Sequence, residues 1–170
     1  MRRIFLFLVL GCFALAASSQ PLIEAIKANN VKLAKQLIKK GAEINQTDSN
    51  GATPLMWAVL KSDLNFCKFL VAKGADPRKK GVIYLDSTQT QYYGNYLGIC
   101  AMNARYDILE WLIKEVKINP DDREFNLQEG KENGWTALQF AVYKGDFQCV
   151  NLLLGLGANP NYTTADSLNM

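Results

Sequence analysis

Few side chains in this 170-residue chain are of the types that carry out catalysis. The chain has no histidine, so it lacks the commonest general base and the commonest zinc ligand. Asp121 and Asp122 are adjacent carboxylates, but no cysteine or metal-ligand spacing accompanies them, so we expect solvated surface. Gly155 and Gly157 end a predicted helix, and no Gly-Lys-Ser/Thr sequence follows to form a phosphate-binding loop. The sequence therefore predicts no enzyme activity, no cofactor and no metal site.

Three cysteines lie beyond the first twenty residues, at Cys67, Cys100 and Cys149. Their spacing is not that of a zinc cluster. An exported protein that uses disulfides as a framework more often has an even number of cysteines. Because all three fall at apolar positions of a repeated pattern, we expect buried thiols that act as small hydrophobic side chains. One disulfide with a spare thiol is the alternative.

The first nineteen residues have the pattern of a secretory signal peptide. Arg2 and Arg3 precede an almost unbroken apolar run over residues 4–15, and small residues follow it. Ala14-Leu15-Ala16 fits a cleavage site, and the run is too short for a comfortable membrane span. We therefore expect residues 20–170 to be exported to the bacterial periplasm or secreted.

Two alternatives remain for this N-terminal segment. In a lipoprotein signal, Val9-Leu10-Gly11 would precede a lipid-bearing Cys12, although the apolar run continues past that cysteine. In the second alternative, the segment stays uncleaved as an anchor. Membrane contact is predicted only in these two cases.

The charge of the chain is nearly balanced once Arg2 and Arg3 are removed, with 17 basic and 16 acidic residues. This balance argues against a nucleic-acid-binding protein, which needs a basic stripe. The charges are unevenly spread, because residues 21–80 hold 11 basic and 5 acidic side chains, whereas residues 81–170 hold 6 and 11. The asymmetry either orients a partner during encounter or reflects solvated faces that happen to differ.

A pattern of apolar and small residues recurs four times, and its copies are anchored at Leu22, Leu55, Leu97 and Leu138. The third residue after each anchor is small, at Ala25, Ala58, Cys100 and Ala141. Each copy is predicted to form two short helices, the second ending where a glycine supplies a left-handed conformation. Since one helix pair cannot bury its apolar face alone, the copies must stack as a solenoid.

With these motifs the chain resembles the ankyrin-repeat family, over about residues 21–162. The resemblance rests on Gly51-x-Thr53-Pro54-Leu55, on repeated Gly-Ala pairs such as Gly74-Ala75, and on Asn45 and Asn161 after two of those pairs. It implies an all-α solenoid of four helix-turn-helix units, within a domain that covers residues 20–170. The units are predicted at about residues 21–47, 48–80, 81–125 and 126–162.

The chain departs from the family pattern in three respects. The histidine that usually follows the anchor leucine is replaced by Met56, Gly98 and Gln139. The anchors are separated by 33, 42 and 41 residues, against a family period of about 33, so the second and third connections carry loop insertions. The first unit has a polar, lysine-rich surface, which suits an N-terminal cap.

The resemblance implies that a protein partner binds in the concave groove and at the loop tips. The groove-facing positions lie five and six residues after each anchor, and the predicted binding residues among them are Leu60, Lys61, Met102, Asn103, Tyr143 and Lys144. Leu60, Met102 and Tyr143 would form an exposed apolar row, or they fold inward and support packing. Trp135 occupies a loop-tip position and suits a binding anchor.

The first insertion is rich in tyrosine and forms a second candidate site, represented by Tyr92. Residues 82–85 are predicted to pair as a strand with residues 89–93, which gives an extended finger. The alternative is a lid packed over the third unit.

These features together predict a non-catalytic protein-binding module in the cell envelope or outside the cell. A structural protein that associates with its own copies is one alternative. A periplasmic inhibitor or immunity-type protein for a toxin or enzyme is another, and the sequence does not choose among them or name the partner.

Overall fold

The computed structural model describes residues 20–84, 92–126 and 131–161. This part of the chain contains eight helices and four short strands. The helices are α1 (Pro21–Lys27), α2 (Val31–Lys39), α3 (Pro54–Lys61), α4 (Leu64–Ala72), α5 (Tyr96–Met102), α6 (Tyr106–Lys114), α7 (Ala137–Lys144) and α8 (Phe147–Gly155). The strands are β1 (Ile83–Tyr84), β2 (Tyr92–Tyr93), β3 (Arg123–Asn126) and β4 (Lys131–Thr136).

The helices form four antiparallel pairs that stack in one direction, which confirms the predicted helical solenoid. Within each unit the first helix packs on the second, and α1, α3, α5 and α7 pack on one another in that order. The anchor leucines of all four units are buried. So are the small residues three positions later, at Ala25, Ala58, Cys100 and Ala141. Their size lets neighbouring first helices approach closely, so the core runs through the whole stack.

Side-chain caps fix where three of the four first helices begin, α3, α5 and α7. Thr53 Oγ1 accepts a hydrogen bond from the Met56 N–H at the start of α3, and Asn95 performs the same role for α5. Thr136 begins α7 with a full capping box, because the Gln139 side chain also accepts from the Thr136 N–H. Gln139 stands where the related repeats usually have histidine, so here this position stabilises the helix start.

The second helices end in the predicted left-handed turns. Gly41, Gly74 and Gly157 have φ values of 89°, 95° and 90°, which cost a glycine little. The third unit lacks this glycine, and Lys117 takes the left-handed conformation instead, with φ of 64°. The third unit is therefore irregular in structure as well as in sequence.

Cys67, Cys100 and Cys149 are all buried and free, as predicted. Burial raises the pKa of the Cys67 thiol to about 12 and that of the Cys149 thiol to about 11. The pKa of Cys100 is also raised, again chiefly by burial. The thiols therefore stay protonated at neutral pH and pack as apolar groups rather than as nucleophiles.

Both insertions carry antiparallel β-hairpins. In the first insertion, β1 pairs with β2, with Ile83 opposite Tyr93 and Tyr84 opposite Tyr92, which confirms the predicted strand pairing. In the second, β3 pairs with β4, where the sequence predicted only a loop. The register shifts between Arg123 and Phe125, and this irregularity sets Glu124 apart from the regular alternation of the hairpin.

The predicted signal peptide, with Cys12, lies outside the described residues, as do the C-terminal residues 162–170. In the part of the chain that the structure describes, no helix combines the length and apolar character needed to cross a membrane.

Two glycines allow a matched test of the packing. Gly81 is buried and lies against the backbone of Gly51. A Cβ atom added to Gly81 would overlap the Gly51 carbonyl oxygen. Gly81→Ala should lower the free energy of unfolding by at least about 2 kcal/mol, because the two backbones cannot separate without breaking the bridge between Gly51 and Val82. Gly155→Ala lies at the end of α8 with open space around the new methyl group, and should raise stability by roughly 0.5–1 kcal/mol. Equilibrium urea unfolding measures both changes, and equal effects would contradict this packing.

Candidate protein-binding surface

The predicted apolar row across three units is not a continuous exposed surface. Leu60 is only 9% exposed and belongs to the core, so the prediction that it faces solvent is wrong. Met102 is half-buried and packs against the same core. Tyr143 alone is open to solvent, with 72% of its surface exposed. Leu60 therefore supports packing, which was the alternative weighed for the row.

The polar members of the predicted site have different environments. Lys61 is exposed at the end of α3. The Asn103 side chain donates to the carbonyl oxygen of Ile99 at 2.8 Å, so it helps to end α5. Lys144 Nζ donates to the carbonyl oxygen of Met102 at 2.6 Å and thereby links α7 to α5. Asn103 and Lys144 thus stabilise the stack at the surface where they were expected to bind.

Trp135 was predicted at a loop tip; the structure places it near the end of strand β4, just before α7, where it is partly exposed. Its ring lies 5.3 Å from the ring of Phe140 and 5.4 Å from that of Tyr143, the latter in an edge-to-face arrangement. Aromatic contacts of this geometry are favourable beyond the area they bury. The exposed aromatic surface is therefore held in place before any partner arrives.

Sequence reasoning missed several exposed apolar residues of the last unit. Together with Trp135 and Tyr143 they form a surface that we call the C-terminal apolar surface: Trp135, Val142, Tyr143, Phe147 and Leu154. Phe147 is 78% exposed and Val142 is 62% exposed. The sequence did contain a sign of this surface, because Leu138 and Val142, and likewise Val150 and Leu154, are spaced four residues apart and so share a helix face. In inner units such positions are covered by the next unit.

A cavity of about 600 Å³ opens on this surface. Its apolar walls come from both helices of the last unit and from the segment that follows them, at Trp135, Leu138, Val142, Tyr143, Val150, Leu154 and Pro160. A partly apolar cavity with a few polar groups on its wall suits the insertion of a partner side chain.

The opposite end of the stack is different. The exposed lysines of α2 give the first unit a polar outer face, as an N-terminal cap requires. Leu33 is an exposed large apolar side chain of this first unit. The two ends of the described stack therefore offer different chemistry, and among its residues the larger group of exposed apolar side chains lies at the C-terminal end.

Glu124 is a buried carboxyl group that the sequence did not single out. It is 3% exposed, and its Oε1 accepts a hydrogen bond from the Gly94 N–H at 3.0 Å. Gly98 and Gly134 make room for it, because a Cβ on either would press against the Glu124 side chain. Burial raises the pKa of Glu124 to about 7, and the Gly94 hydrogen bond opposes this shift. This residue joins the second hairpin to the base of the first.

The paired carboxylates of the second insertion have different surroundings. Asp121 Oδ1 accepts from the Asn159 N–H at 2.8 Å, so it links the third unit to the fourth. The Asp122 pKa is raised, chiefly by desolvation, while the nearby Lys80 and Arg78 charges oppose the shift. Among the described residues, no group of three or more potential metal-ligating side chains comes together.

Tyr92 is placed only through its backbone, which pairs with Tyr84 in the first hairpin. Its side chain, like those of Gln89 and Gln91, lies outside the described residues. The first insertion therefore remains a predicted second site.

Two family models match the chain. A model of ankyrin repeats in three copies matches residues 4–81, and a model of ankyrin repeats in many copies matches residues 97–154. Together they cover most of the chain, and the gap between them corresponds to the first insertion.

Known relatives contain a similar segment within larger proteins. The chain is similar to alpha-latrotoxin-Lg1a of Latrodectus geometricus, with 34% identity over 73% of this chain and 8% of the relative. It is also similar to the mitochondrial disaggregase of Bos taurus, with 31% identity over 90% of this chain and 21% of the relative. A putative ankyrin repeat protein of Rickettsia felis is 26% identical over 83% of this chain and 43% of its own length. The chain thus spans less than half the length of each.

Glu124 makes the stability of the fold depend on pH. Because its folded pKa of about 7 exceeds the ordinary value of 4.5, the native state binds more protons than the unfolded state between these values. Stability should therefore fall as pH rises through this window, by up to about 3 kcal/mol. Glu124→Gln should remove that slope and be the more stable protein at pH 8.

Urea midpoints measured at intervals from pH 4 to 8 test this expectation. Glu43→Gln, at an exposed turn, is the matched control and should leave the slope unchanged. A wild-type slope that survives in Glu124→Gln would show that Glu124 is not its source.

Proposed function

Since the chain belongs to the ankyrin-repeat family, we propose that it is a non-catalytic module that binds a protein partner through its C-terminal apolar surface. Ankyrin repeats generally mediate protein–protein contacts. The proposal narrows this general property to one end of the solenoid and to named side chains.

One observation carries the proposal. Trp135, Val142, Tyr143 and Leu154 are exposed together on the last unit around a cavity of about 600 Å³, and Phe147 is exposed at the start of α8. Connected apolar areas of this kind on a soluble domain are typical of interaction sites. Rigid aromatic side chains are favoured as anchors, because they lose little conformational entropy on binding. Lys144, at the edge of this area, supplies a polar rim.

The relatives support the binding role and nothing more specific. A toxin and a mitochondrial disaggregase both contain the repeat, and their names describe different activities. Because the shared segment makes up at most about a fifth of either protein, those activities are not carried over to this chain. An inhibitor or immunity-type protein is one concrete form of the role that we propose.

Self-association is the second candidate function, and the same surface favours it. The exposed face of α7 and α8 has the apolar chemistry that inner units bury against a neighbour. Two copies could cover each other's exposed faces around a twofold axis, since such an interface is self-complementary. The lysine-rich first unit offers no matching apolar face, so a tail-to-tail arrangement is favoured over a head-to-tail one.

We also propose that the protein works in the periplasm or outside the cell. The support is the order of Arg2 and Arg3, the apolar run over residues 4–15, and the small residues after it. The free cysteines are compatible with export, because all three are buried away from oxidants.

The binding proposal is tested with the double variant Tyr143→Ser/Phe147→Ser. Both side chains are largely exposed, so the fold should tolerate the change, while affinity for the partner should fall at least about tenfold. A pull-down with residues 20–170 identifies the partner as one heterologous protein retained at stoichiometric yield. Titration calorimetry with that protein then gives the affinities.

Leu33→Ser is the matched control, because Leu33 is an exposed apolar residue at the opposite end of the stack. It should leave the affinity unchanged. Unchanged binding by the double variant would contradict this choice of surface. A concentration-dependent dimer in analytical ultracentrifugation, abolished by the double variant, would favour self-association instead.

Export is tested by expressing the full chain in a Gram-negative bacterial host. The periplasmic fraction should contain a protein whose first residue lies between positions 17 and 20, as N-terminal sequencing would show. Leu8→Arg interrupts the apolar run and should keep the precursor in the cytoplasm. A mature chain that begins at a lipid-modified Cys12 would establish the lipoprotein alternative, and an intact N-terminus in the cytoplasm would refute export.

A further inference from the structure

A second cavity, on the side of the loop tips, has strongly basic walls. Its volume is about 370 Å³, within the range of about 300–1,000 Å³ typical of ligand sites. We call it the basic pocket, and its charged lining residues are Arg78, Lys79, Lys80, Lys117, Arg123 and Asp122. Five cations and one carboxylate thus face a single cavity.

The irregular third unit creates this pocket. One wall is the loop after α4, which carries Arg78, and the other is the loop from Lys117 to Arg123 after α6. The start of α5 closes the pocket between them with Tyr96 and Leu97, which are both buried. The Tyr96 hydroxyl donates to the carbonyl oxygen of Asp76 at 3.2 Å and so links the start of α5 to the loop after α4.

Two of the cations are oriented by backbone carbonyl oxygens. Arg78 Nη2 donates to the carbonyl oxygen of Val116 at 3.1 Å, and Lys79 Nζ donates to that of Asn45 at 2.8 Å. A carbonyl oxygen holds the donor in place but carries no net charge to cancel it. Arg123 is also positioned by a carbonyl, since its Nε donates to the oxygen of Gly134 at 2.9 Å. The fold thus orients three of the five cationic side chains on the pocket wall, against one carboxylate, that of Asp122.

Lys117 adds a cation that the rest of the repeat pattern would not supply. It stands in a left-handed turn with φ of 64°, where a glycine or asparagine would be less strained. The chain thus has a charged side chain where backbone conformation alone favours a small one.

We propose that the basic pocket binds the side-chain carboxylates of an acidic, Asp/Glu-rich segment of the partner protein. The inference rests on the proposed function as a protein-binding module and adds a second contact, of opposite chemistry to the C-terminal apolar surface. Carboxylates that enter the pocket meet oriented guanidinium and ammonium donors. The main chain of the segment offers N–H groups to Asp122 and to the Asn119 side chain, both of which line the cavity.

A peptide fits this pocket better than a nucleic acid does. Asp122 repels phosphates and peptide carboxylates alike, but the main chain of a peptide also brings N–H groups that can donate to it. The five cations are gathered at one cavity rather than along a stripe, and the chain without Arg2 and Arg3 carries a net charge of only +1.

The experiment uses residues 20–170 and fluorescein-labelled hexaglutamate as the probe, with affinity measured by fluorescence anisotropy at low ionic strength. The test variant is Lys80→Gln/Lys117→Asn, in which asparagine tolerates the left-handed turn at position 117. The control variant is Lys32→Gln/Lys39→Gln on the exposed face of α2, which removes the same charge. Inorganic phosphate and a labelled oligothymidylate serve as competing probes.

We expect hexaglutamate binding to weaken about 5–20-fold in the test variant and less than twofold in the control variant. In ¹⁵N-labelled protein, the amide signals of Gly94, Lys117 and Asn119 should shift on titration with the peptide. Equal weakening in both variants, or no binding to the wild-type chain, would overturn the proposal. Tighter, pocket-dependent binding of the oligothymidylate or of phosphate alone would overturn it in favour of those ligands.

Failure of this test is distinguishable from failure of the proposed function. If the partner still binds through Tyr143 and Phe147 while hexaglutamate does not bind, only the basic pocket is refuted.

Discussion

Close approach between neighbouring first helices is the contact on which the rest of this structure depends. A pair of helices of seven to nine residues has too little apolar surface to fold alone. The small side chains at Ala25, Ala58, Cys100 and Ala141 let α1, α3, α5 and α7 approach closely, and the anchor leucines fill the space around them. Every surface of the protein follows from this stack, because it decides which residues are covered by a neighbour.

The two insertions change the regular stack at its third unit. There the usual glycine turn is replaced by Lys117, the histidine position becomes Gly98, and Glu124 occupies the space that Gly98 and Gly134 leave. A buried carboxyl group and an irregular turn both cost stability. Both features lie at or next to the basic pocket, since Lys117 lines it and Glu124 follows Arg123, another lining residue.

The molecule thus has two kinds of surface in separate places. The C-terminal apolar surface offers area and shape for affinity, and the basic pocket offers charge that orients a partner and favours acidic ligands. Their separation lets each be altered without disturbing the other, since neither shares a lining residue with the other. The unequal charge of the two halves of the chain agrees with this description of the basic pocket. Residues 78–80, which line the pocket, are the last three residues of the net-positive segment 21–80.

The recurrence of anchors, caps and glycine turns allowed the fold to be predicted, including four helix pairs, buried thiols and the strands of the first insertion. These features depend on local spacing, which a sequence displays directly. The exposure of a side chain does not depend on local spacing alone. Leu60 and Tyr143 hold equivalent positions in their units, yet Leu60 is covered by its neighbours and Tyr143 is not. Likewise, Arg78, Lys79 and Lys80 are far in the sequence from Lys117 and Arg123, and Glu124 is far from Gly94, so only the tertiary structure brought these residues together. The sequence determined what each unit is, and the tertiary structure decided which of its faces remained free, because burial depends on the neighbouring unit as much as on the residue itself.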